Sequence, residues 1–120
     1  MAPIFHVTAA AEWAAALARG EYRGSTRGKS LDEVGFVHCS DAAQVARVAG
    51  LVYPGMRGLV LLAIDPQRLG SPLRREAVTP GGERFPHIYG PLEVEAVISV
   101  TAYEPGPDGV YPDLVPPGAG

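Results

Sequence analysis

The chain has 120 residues, of which 47% are hydrophobic and 19% charged, and its formal net charge is −3. This length fits one domain whose core is large enough to fold without a metal or a disulfide, and the composition argues against disorder over most of the chain. General nucleic-acid binders and binders of anionic membranes are normally basic, and the one cysteine, Cys39, excludes an internal disulfide.

A strand and a helix open the chain. Residues 4–7 are apolar and predict a short strand. Thr8 is a suitable N-cap for the Ala-rich residues 9–19, which predict a helix because Ala has the highest helix propensity. Gly20 supplies the end of that helix. The polar stretch 21–33 predicts a long mobile loop, and such loops are often functional.

A second strand and helix follow, and strands then accumulate. Residues 35–39 predict a strand, and Ser40 with Asp41 can cap a helix that runs to about Val52. Four more strands are predicted, at residues 59–65, 73–78, 85–89 and 96–103. Pro86 indicates that the third of these begins at an edge or a kink. Because the helices come early and the strands late, the order predicts an α+β fold rather than repeated βαβ units.

The C-terminal residues differ in composition from the rest. Residues 105–120 are rich in proline and glycine and show no apolar period. They predict an extended tail that follows one domain of residues 1–104.

Three histidines are the main candidates for chemistry. His6, His38 and His87 each lie in a predicted strand or at its edge. Alternate side chains of a strand share a face, which places His38 with Phe36 and His87 with Tyr89. A sheet that joins these faces lines one pocket with the three imidazoles. The alternative is that each histidine is a half-buried, hydrogen-bonded residue of the framework.

The sequence does not favour a metal or a cysteine nucleophile. No His-x-His or HExxH spacing is present, so we expect no bound metal. Cys39 follows His38 directly and points to the opposite strand face, which excludes a Cys–His dyad and predicts a small core residue. Ser40 is either the cap of the second helix or a hydroxyl that contacts a ligand at its N-terminus.

Several charged and aromatic residues in or near the predicted strands at 73–78 and 85–89 keep two interpretations. Glu76 and Glu83 are either solvated charges beside a turn or part of a site. Arg74 and Arg75 can hold a phosphate, although strand neighbours face opposite ways and at least one should lie on the surface. Tyr89 is either a core aromatic or a stacking wall for a planar ligand.

The order of several sequence strings resembles one bacterial family. The strings are GFVHCS at 35–40 and FPHIYGPL at 85–92, together with IFHVT at 4–8 and LLAIDPQRLG at 61–70. Over residues 4–101 the chain resembles the small proteins catalogued as domain of unknown function 952. That family is similar in fold to ADP-ribosyltransferases, which hold NAD between two small sheets. The resemblance implies an ADP-ribosyltransferase-like split β-sheet with two early helices.

The resemblance also implies roles for individual residues. His38 and His6 are the implied catalytic residues, with His6 at the ribose hydroxyls and His38 beside the nicotinamide or the diphosphate. The implied cofactor-binding residues are His6, Thr8, Ser40, His87 and Tyr89. Where toxin-like branches carry a glutamate, Ile88 or Tyr89 stands here, which counts against transfer to a protein acceptor.

The predicted function is binding of NAD or a related nucleotide, with cleavage or transfer at the nicotinamide–ribose bond. The chain is then an NAD-dependent transferase or an NAD glycohydrolase. One alternative is a non-catalytic module that binds a small ligand, and another is a histidine-dependent enzyme acting on a different small molecule. We expect no membrane partner, no general nucleic-acid partner and a cytoplasmic location, because the start of the sequence lacks a targeting signal.

Overall fold

The computed structural model describes residues 2–114 and alternates short strands with three α-helices in that part of the chain. The elements are β1 (Ile4–Ala9), α1 (Ala10–Arg19), β2 (Glu21–Tyr22), β3 (Gly24–Thr26), β4 (Lys29–Ser30), α2 (Leu31–Val34), β5 (Val37–His38), α3 (Val45–Val52), β6 (Leu59–Ile64), β7 (Leu73–Ala77), β8 (Arg84–Ile88), β9 (Leu92–Glu93) and β10 (Val97–Ala102). Two 3₁₀ turns, Pro66–Arg68 and Val94–Ala96, precede β7 and β10. The predicted α+β class is confirmed.

Two three-stranded antiparallel sheets form the framework, with strand orders β1-β6-β10 and β5-β8-β7. They meet at an isolated bridge, where the N–H of Phe5 donates to the Ser40 carbonyl and the N–H of Ser40 donates to the Phe5 carbonyl, each at 2.8 Å. This bridge is the backbone pairing that joins β1 to the segment after β5 within residues 2–114. The framework is therefore two small sheets joined by one backbone bridge between β1 and the segment after β5.

Apolar residues fill both sides of the first sheet. One core cluster holds α1 and the inner face of the second sheet, and its members include Ile4, Trp13, Val37, Cys39, Leu62 and Ile88. The other holds α3 and the chain after β10, and its members include Val45, Ala49, Tyr53, Leu59, Tyr103 and Tyr111. Cys39 is 1% exposed, so its prediction as a core residue is confirmed.

The predicted helix cap at Thr8 is wrong, although the helix itself is confirmed. β1 continues through Thr8 to Ala9, because both residues pair with β6. Ala9 is the residue before α1 and has no side chain that can cap it. Thr8 is buried and contributes its hydroxyl to the interior instead. Gly20 ends α1 as predicted, with φ 88° and its N–H donating to the Ala16 carbonyl.

The polar stretch 21–33 is structured, and its prediction as a long loop is wrong. β2 pairs with β9, and β3 pairs with β4 in a small hairpin. Ser30 then caps α2: its hydroxyl accepts from the Glu33 N–H at 3.2 Å, and the Glu33 carboxylate accepts from the Ser30 N–H at 2.9 Å. Strands of two or three residues show no periodicity along the sequence, which is why the pattern missed them.

The second long helix starts later than predicted. α3 begins at Val45, whereas the cap was expected at Ser40 or Asp41. One half of the capping box forms, since the Asp41 N–H donates to the Gln44 side-chain oxygen at 2.8 Å. The Asp41 carboxylate does not complete it, because both of its oxygens accept from Arg75 on β7, at 2.7 and 2.8 Å.

Pro86 lies in the middle strand of the second sheet, contrary to the expected edge. Its carbonyl accepts from the Cys39 N–H at 2.9 Å, just beyond the end of β5. Proline has no N–H to return a second bond to Cys39. The β5 ladder ends at this point, and the chain turns at Ser40 to pair with Phe5.

Part of the C-terminal stretch packs on the domain. Tyr111 is 2% exposed, and its hydroxyl donates to the Tyr53 and Met56 carbonyls at 2.6 and 2.7 Å. The Tyr103 hydroxyl donates to the Pro112 carbonyl at 2.7 Å. The domain boundary at residue 104 stays a prediction, but Pro105 and Tyr111 beyond it are buried. The tail residues 115–120 lie outside the described residues. In the described part of the chain, no helix has the length and apolar character needed to cross a membrane.

Candidate functional site

His6, in the middle of β1, is held by two hydrogen bonds from other elements. Its Nδ1 lies 2.6 Å from the His38 carbonyl oxygen, and its Nε2 lies 2.8 Å from the Tyr22 hydroxyl. A carbonyl oxygen only accepts, so Nδ1 carries the hydrogen, and Nε2 of the neutral ring accepts from Tyr22. Both nitrogens of His6 are therefore occupied by the protein.

Burial fixes the charge state of this group. His6 is 4% exposed, and its burial lowers its pKa from 6.5 to about 4. Burial also raises the pKa of Tyr22 far above its ordinary value, so its hydroxyl keeps its hydrogen and donates it to His6. The Tyr22 hydroxyl has one hydrogen, which it donates to His6. In its contact with the Thr8 hydroxyl, 2.9 Å away, the Tyr22 oxygen therefore accepts and Thr8 donates.

The position of Tyr22 depends on its neighbours along the chain. β2 pairs with β9, which places the Tyr22 ring inside the core at 3% exposure. Gly24 lies over the ring, and a Cβ there would collide with the Tyr22 hydroxyl. We call His6, Tyr22 and Thr8 the inner triad. It ties β1 to β2 and, through the His38 carbonyl, to β5.

The outer face of the second sheet carries a second group of polar residues. Strand register aligns His38, His87 and Arg74 in one row across β5, β8 and β7. Since alternate residues share a face, the same side carries Phe36, Phe85, Tyr89 and Glu76. Contacts among the rings agree with this arrangement, and the predicted pairings of His38 with Phe36 and of His87 with Tyr89 on one face are confirmed.

His87 is the most enclosed member of this face. It is 1% exposed, its ring stacks on Phe36 with centroids 4.0 Å apart, and its Nδ1 lies 2.9 Å from Glu76 Oε1. The Tyr89 hydroxyl donates to the same carboxylate oxygen. A carboxylate only accepts, so Nδ1 donates and the Nε2 of a neutral ring bears a lone pair. That Nε2 is buried and has no hydrogen-bond partner among the residues described.

His38 lies beside His87 and is half-buried. Its ring centroid is 5.2 Å from the centroid of His87 and 5.2 Å from that of Phe85. Burial, and then the nearby charge of His87, lower the pKa of His38 from 6.5 to about 4. Within residues 2–114 no other residue is hydrogen-bonded to either ring nitrogen, and the backbone of His38 itself acts on the ring in the opposite direction, raising its pKa. His38 is thus a neutral imidazole with a free lone pair at pH 7.

The charged residues of β7 and the following turn divide between the two faces. The Arg74 guanidinium lies 5.0 Å from the Tyr89 ring centroid, on the face of the histidines. Arg75 is bound to Asp41 on the other side, so the two arginines form no joint clamp. Glu83 accepts from side chains at the start of α3 and lies away from the histidines. The hydrogen bonds from Tyr89 and His87 lower the pKa of Glu76.

A small cleft opens where the two sheets part. Its lining includes His6, His38, Ser40 and the apolar face of α3, and its volume is about 30 Å³. A volume of this size holds one or two water molecules and no ring. Ser40 therefore lines a cleft, in addition to its backbone bridge with Phe5.

A wider groove adjoins the cleft and shares Thr26 and Tyr53 with it. The groove has a volume of about 750 Å³ and is lined by Thr8, Tyr22 and the β3–β4 hairpin. Its charged lining residues are the cations Arg19, Arg23, Arg27 and Lys29 and the anions Glu12, Asp32 and Glu33. Arg23 is paired with carboxylates, whereas Arg27 and Lys29 have no carboxylate partner among the residues described. Those two cations can bind an anionic ligand.

The predicted site residues thus fall into two neighbouring groups. His6 and Thr8 belong to the inner triad, while His87 and Tyr89 lie on the outer face with Glu76. His38 and the adjacent chain connect the two groups. Direct contact of His6 with a ribose, which the resemblance implies, requires one of its hydrogen bonds to break.

Sequence reasoning missed one residue of the site, Tyr22, and left the role of another, Glu76, open. Tyr22 was assigned to a loop, and its contact with His6 depends on the pairing of β2 with β9. Glu76 was left open between a solvated charge and a site residue, and its contact with His87 depends on the register of β7 with β8. The β2–β9 pairing has no signal in the local sequence, whereas the turn at residues 80–82 indicates that β7 pairs with β8 but does not fix the register.

Within residues 2–114, no three histidine, cysteine, aspartate or glutamate side chains converge as a metal ion would require. The expectation that the protein binds no metal stays a prediction.

Comparison with known proteins gives relatives of the same size. Residues 7–100 match the family model described as "Protein of unknown function (DUF952)". The crystal structure of protein CC0527 from Caulobacter crescentus is 37% identical, with a TM-score of 0.80 over 92% of this chain and 93% of that one. The solution structure of the same protein is 38% identical, with a TM-score of 0.76 over 92% and 91%. No curated protein matches the sequence.

Proposed function

The chain belongs to the DUF952 family of proteins of unknown function, and from that premise we propose that it binds NAD or a related nucleotide beside the junction of its two sheets. The observation that carries the proposal is the placement of His38. It lines a cleft between two small sheets, next to a groove whose lining includes Arg27 and Lys29, two cations without a carboxylate partner among the residues described. This is the arrangement that the resemblance to ADP-ribosyltransferases implies.

The groove suits the diphosphate and adenosine parts of such a ligand. Its volume of about 750 Å³ lies in the range typical of small-molecule sites. Arg27 and Lys29, on the β3–β4 hairpin, offer two cations to a diphosphate. Tyr53, under the Arg27 guanidinium at 5.6 Å, offers an aromatic surface at the boundary with the cleft.

His38 is the residue that we propose to meet the reacting end of the ligand. Hydrolysis of NAD breaks the bond from nicotinamide to ribose C1, forms a bond from the water oxygen to C1 and releases a proton, which a neutral imidazole accepts. A strong base is not needed, because an oxocarbenium-like centre depends mostly on positioning and electrostatic stabilisation. The cleft of about 30 Å³ must widen to admit the nicotinamide ring.

The other predicted site residues take supporting roles in this proposal. His6 positions His38, because its Nδ1–H holds the His38 carbonyl at 2.6 Å. Ser40 lines the cleft beside the bound ligand, and Thr8 lines the groove and holds the Tyr22 hydroxyl. His87 and Tyr89 lie behind His38 on the outer face.

A second candidate function is a histidine-dependent enzyme that acts on another small molecule. The pairing of Glu76 with His87 favours it, since a carboxylate that orients an imidazole is a common arrangement in general acid–base catalysis. A non-catalytic ligand-binding module would use the same groove and cleft without turnover.

Thermal unfolding with a panel of ligands tests the proposal. A ligand at a hundredfold excess over its Kd stabilises the folded state by about 2.7 kcal/mol. Each 1 kcal/mol shifts the midpoint by roughly 3–6 °C in a domain of this size. We expect NAD to raise the midpoint well beyond 5 °C when saturating, and ADP-ribose and AMP to give part of that shift.

Two controls make the ligand panel specific. Lys29→Ala should reduce the shift with NAD, whereas Arg68→Ala, an exposed cation outside the groove, should not. Release of nicotinamide separates an enzyme from a binding module. A clear shift with an unrelated metabolite and none with any nucleotide would contradict the proposal.

A further inference from the structure

The buried Nε2 of His87 is the feature that the proposed function leaves unexplained. An unpartnered polar atom in the interior is destabilising, and folded proteins avoid such atoms. The same ring is otherwise well fixed, by the Glu76 carboxylate at Nδ1 and by Phe36 against its plane. The geometry thus prepares an acceptor at Nε2 and supplies it with no donor in the described residues.

The imidazole of His38 lies beside His87 and can supply a donor to its Nε2. The centroids of the two imidazoles are 5.2 Å apart, with 43° between the ring planes. Two imidazoles joined by an N–H···N bond of about 2.9 Å have centroids about 5 Å apart, so the separation already fits such a bond. Only the orientation of the His38 ring has to change. His38 is half-buried and has no other hydrogen-bond partner in residues 2–114 to hold its ring.

We propose that Glu76, His87 and His38 form a hydrogen-bonded relay in which His38 donates to His87 Nε2. Glu76 accepts from His87 Nδ1–H, and His87 accepts from one ring nitrogen of His38. The other nitrogen of His38 is then an acceptor that faces the cleft. Glu76 and His87 are positioning residues: they select the tautomer of His38 and fix its ring plane. The proposal rests on the proposed function only for what His38 does to the ligand.

Tyr89 and Arg74 reinforce the relay from its outer end. The Tyr89 hydroxyl donates to the same Glu76 oxygen that accepts from His87, and Arg74 lies over the Tyr89 ring. Both contacts favour the ionised carboxylate, which is the form that holds the His87 Nδ1–H tautomer. If Glu76 is a positioning carboxylate for His87, this explains why His87 and Tyr89 both donate to one of its oxygens.

Nitrogen-15 NMR of the ligand-free protein tests the relay directly. We expect one tautomer for each of His38 and His87, and a ¹⁵N–¹⁵N coupling across the bond between the two rings. Glu76→Gln should reduce the coupling and mix the tautomers, and His87→Phe, which keeps an aromatic ring against Phe36, should abolish the coupling. Glu83→Gln alters a carboxylate in the turn between β7 and β8, outside the relay, and should leave the signals unchanged.

Activity provides a second, separable measurement. If nicotinamide is released, Glu76→Gln should lower kcat about tenfold or more and change KM less than twofold, as loss of a positioning partner does. The relay is wrong if the wild type shows both His38 tautomers and no coupling. If the coupling is present and NAD neither binds nor reacts, the relay stands and the proposed function fails.

Discussion

His6 and His38 lie side by side at the junction of the two sheets, yet their surroundings differ. His6 has protein partners at both ring nitrogens and is almost completely enclosed. His38 contributes its backbone carbonyl to the His6 bond, and no other residue among those described is hydrogen-bonded to its ring. The comparison teaches that the strand position of a histidine does not settle its role. The number of its nitrogens left for a ligand is more informative.

The first prediction concerns the more enclosed side of this comparison. His6→Ala leaves the Tyr22 hydroxyl and the His38 carbonyl without their partner and opens a cavity in the core. Loss of a buried side chain with two hydrogen bonds should lower the free energy of unfolding by about 2–4 kcal/mol. Urea unfolding measures this. A loss below about 0.5 kcal/mol would mean that the inner triad does not hold the two sheets together.

The second prediction is a pH dependence. The pKa of His6 is about 4 in the folded protein and near 6.5 when unfolded, so the unfolded state binds more protons between these values. The stability from the neutral ring is fully present above pH 6.5 and is lost as pH falls towards 4, by about 3 kcal/mol in total. Unfolding free energies measured from pH 7.5 to 4 should show this loss, and His6→Gln should show a smaller slope.

The third prediction separates the hydroxyl of the inner triad from its ring. Tyr22→Phe keeps the packing and removes the donor to His6 Nε2, so the free energy of unfolding should fall by about 1–2 kcal/mol. Tyr103→Phe is the matched control, because that hydroxyl donates to a carbonyl near the surface. If the free energy of unfolding falls equally in the two variants, the Tyr22–His6 hydrogen bond contributes no more to stability than the Tyr103 bond does.

The fourth prediction concerns the less enclosed side. His38→Ala leaves no other residue among those described without a hydrogen-bond partner. The free energy of unfolding should therefore fall by about 1 kcal/mol or less. Thermal unfolding compares it with Cys39→Ala, the neighbour on the core face. Failure of His38→Ala to fold while Cys39→Ala folds normally would make His38 a framework residue and remove it from the site.

The sequence predicts the elements that have a strong local pattern, and it does not predict the contacts that depend on strand pairing. The apolar runs at β1 and β6 and the alanine-rich α1 carry strong local signals, and they were predicted to within two residues. The inner triad depends instead on β2, a strand of two residues. Its partner β9 lies far along the chain, since Tyr22 pairs with Leu92. The Glu76–His87 contact depends on sheet register. Local patterns located the histidines, but their partners are set by tertiary pairing.

Isothermal titration of the protein with NAD tests the central claim most directly, because it measures binding at the junction without assuming catalysis. The account predicts saturable binding of one NAD per chain, weakened at least tenfold by His38→Ala, which corresponds to about 1.4 kcal/mol, and little changed by Arg68→Ala. Absence of binding, or equal affinity in the wild type and His38→Ala, would contradict it.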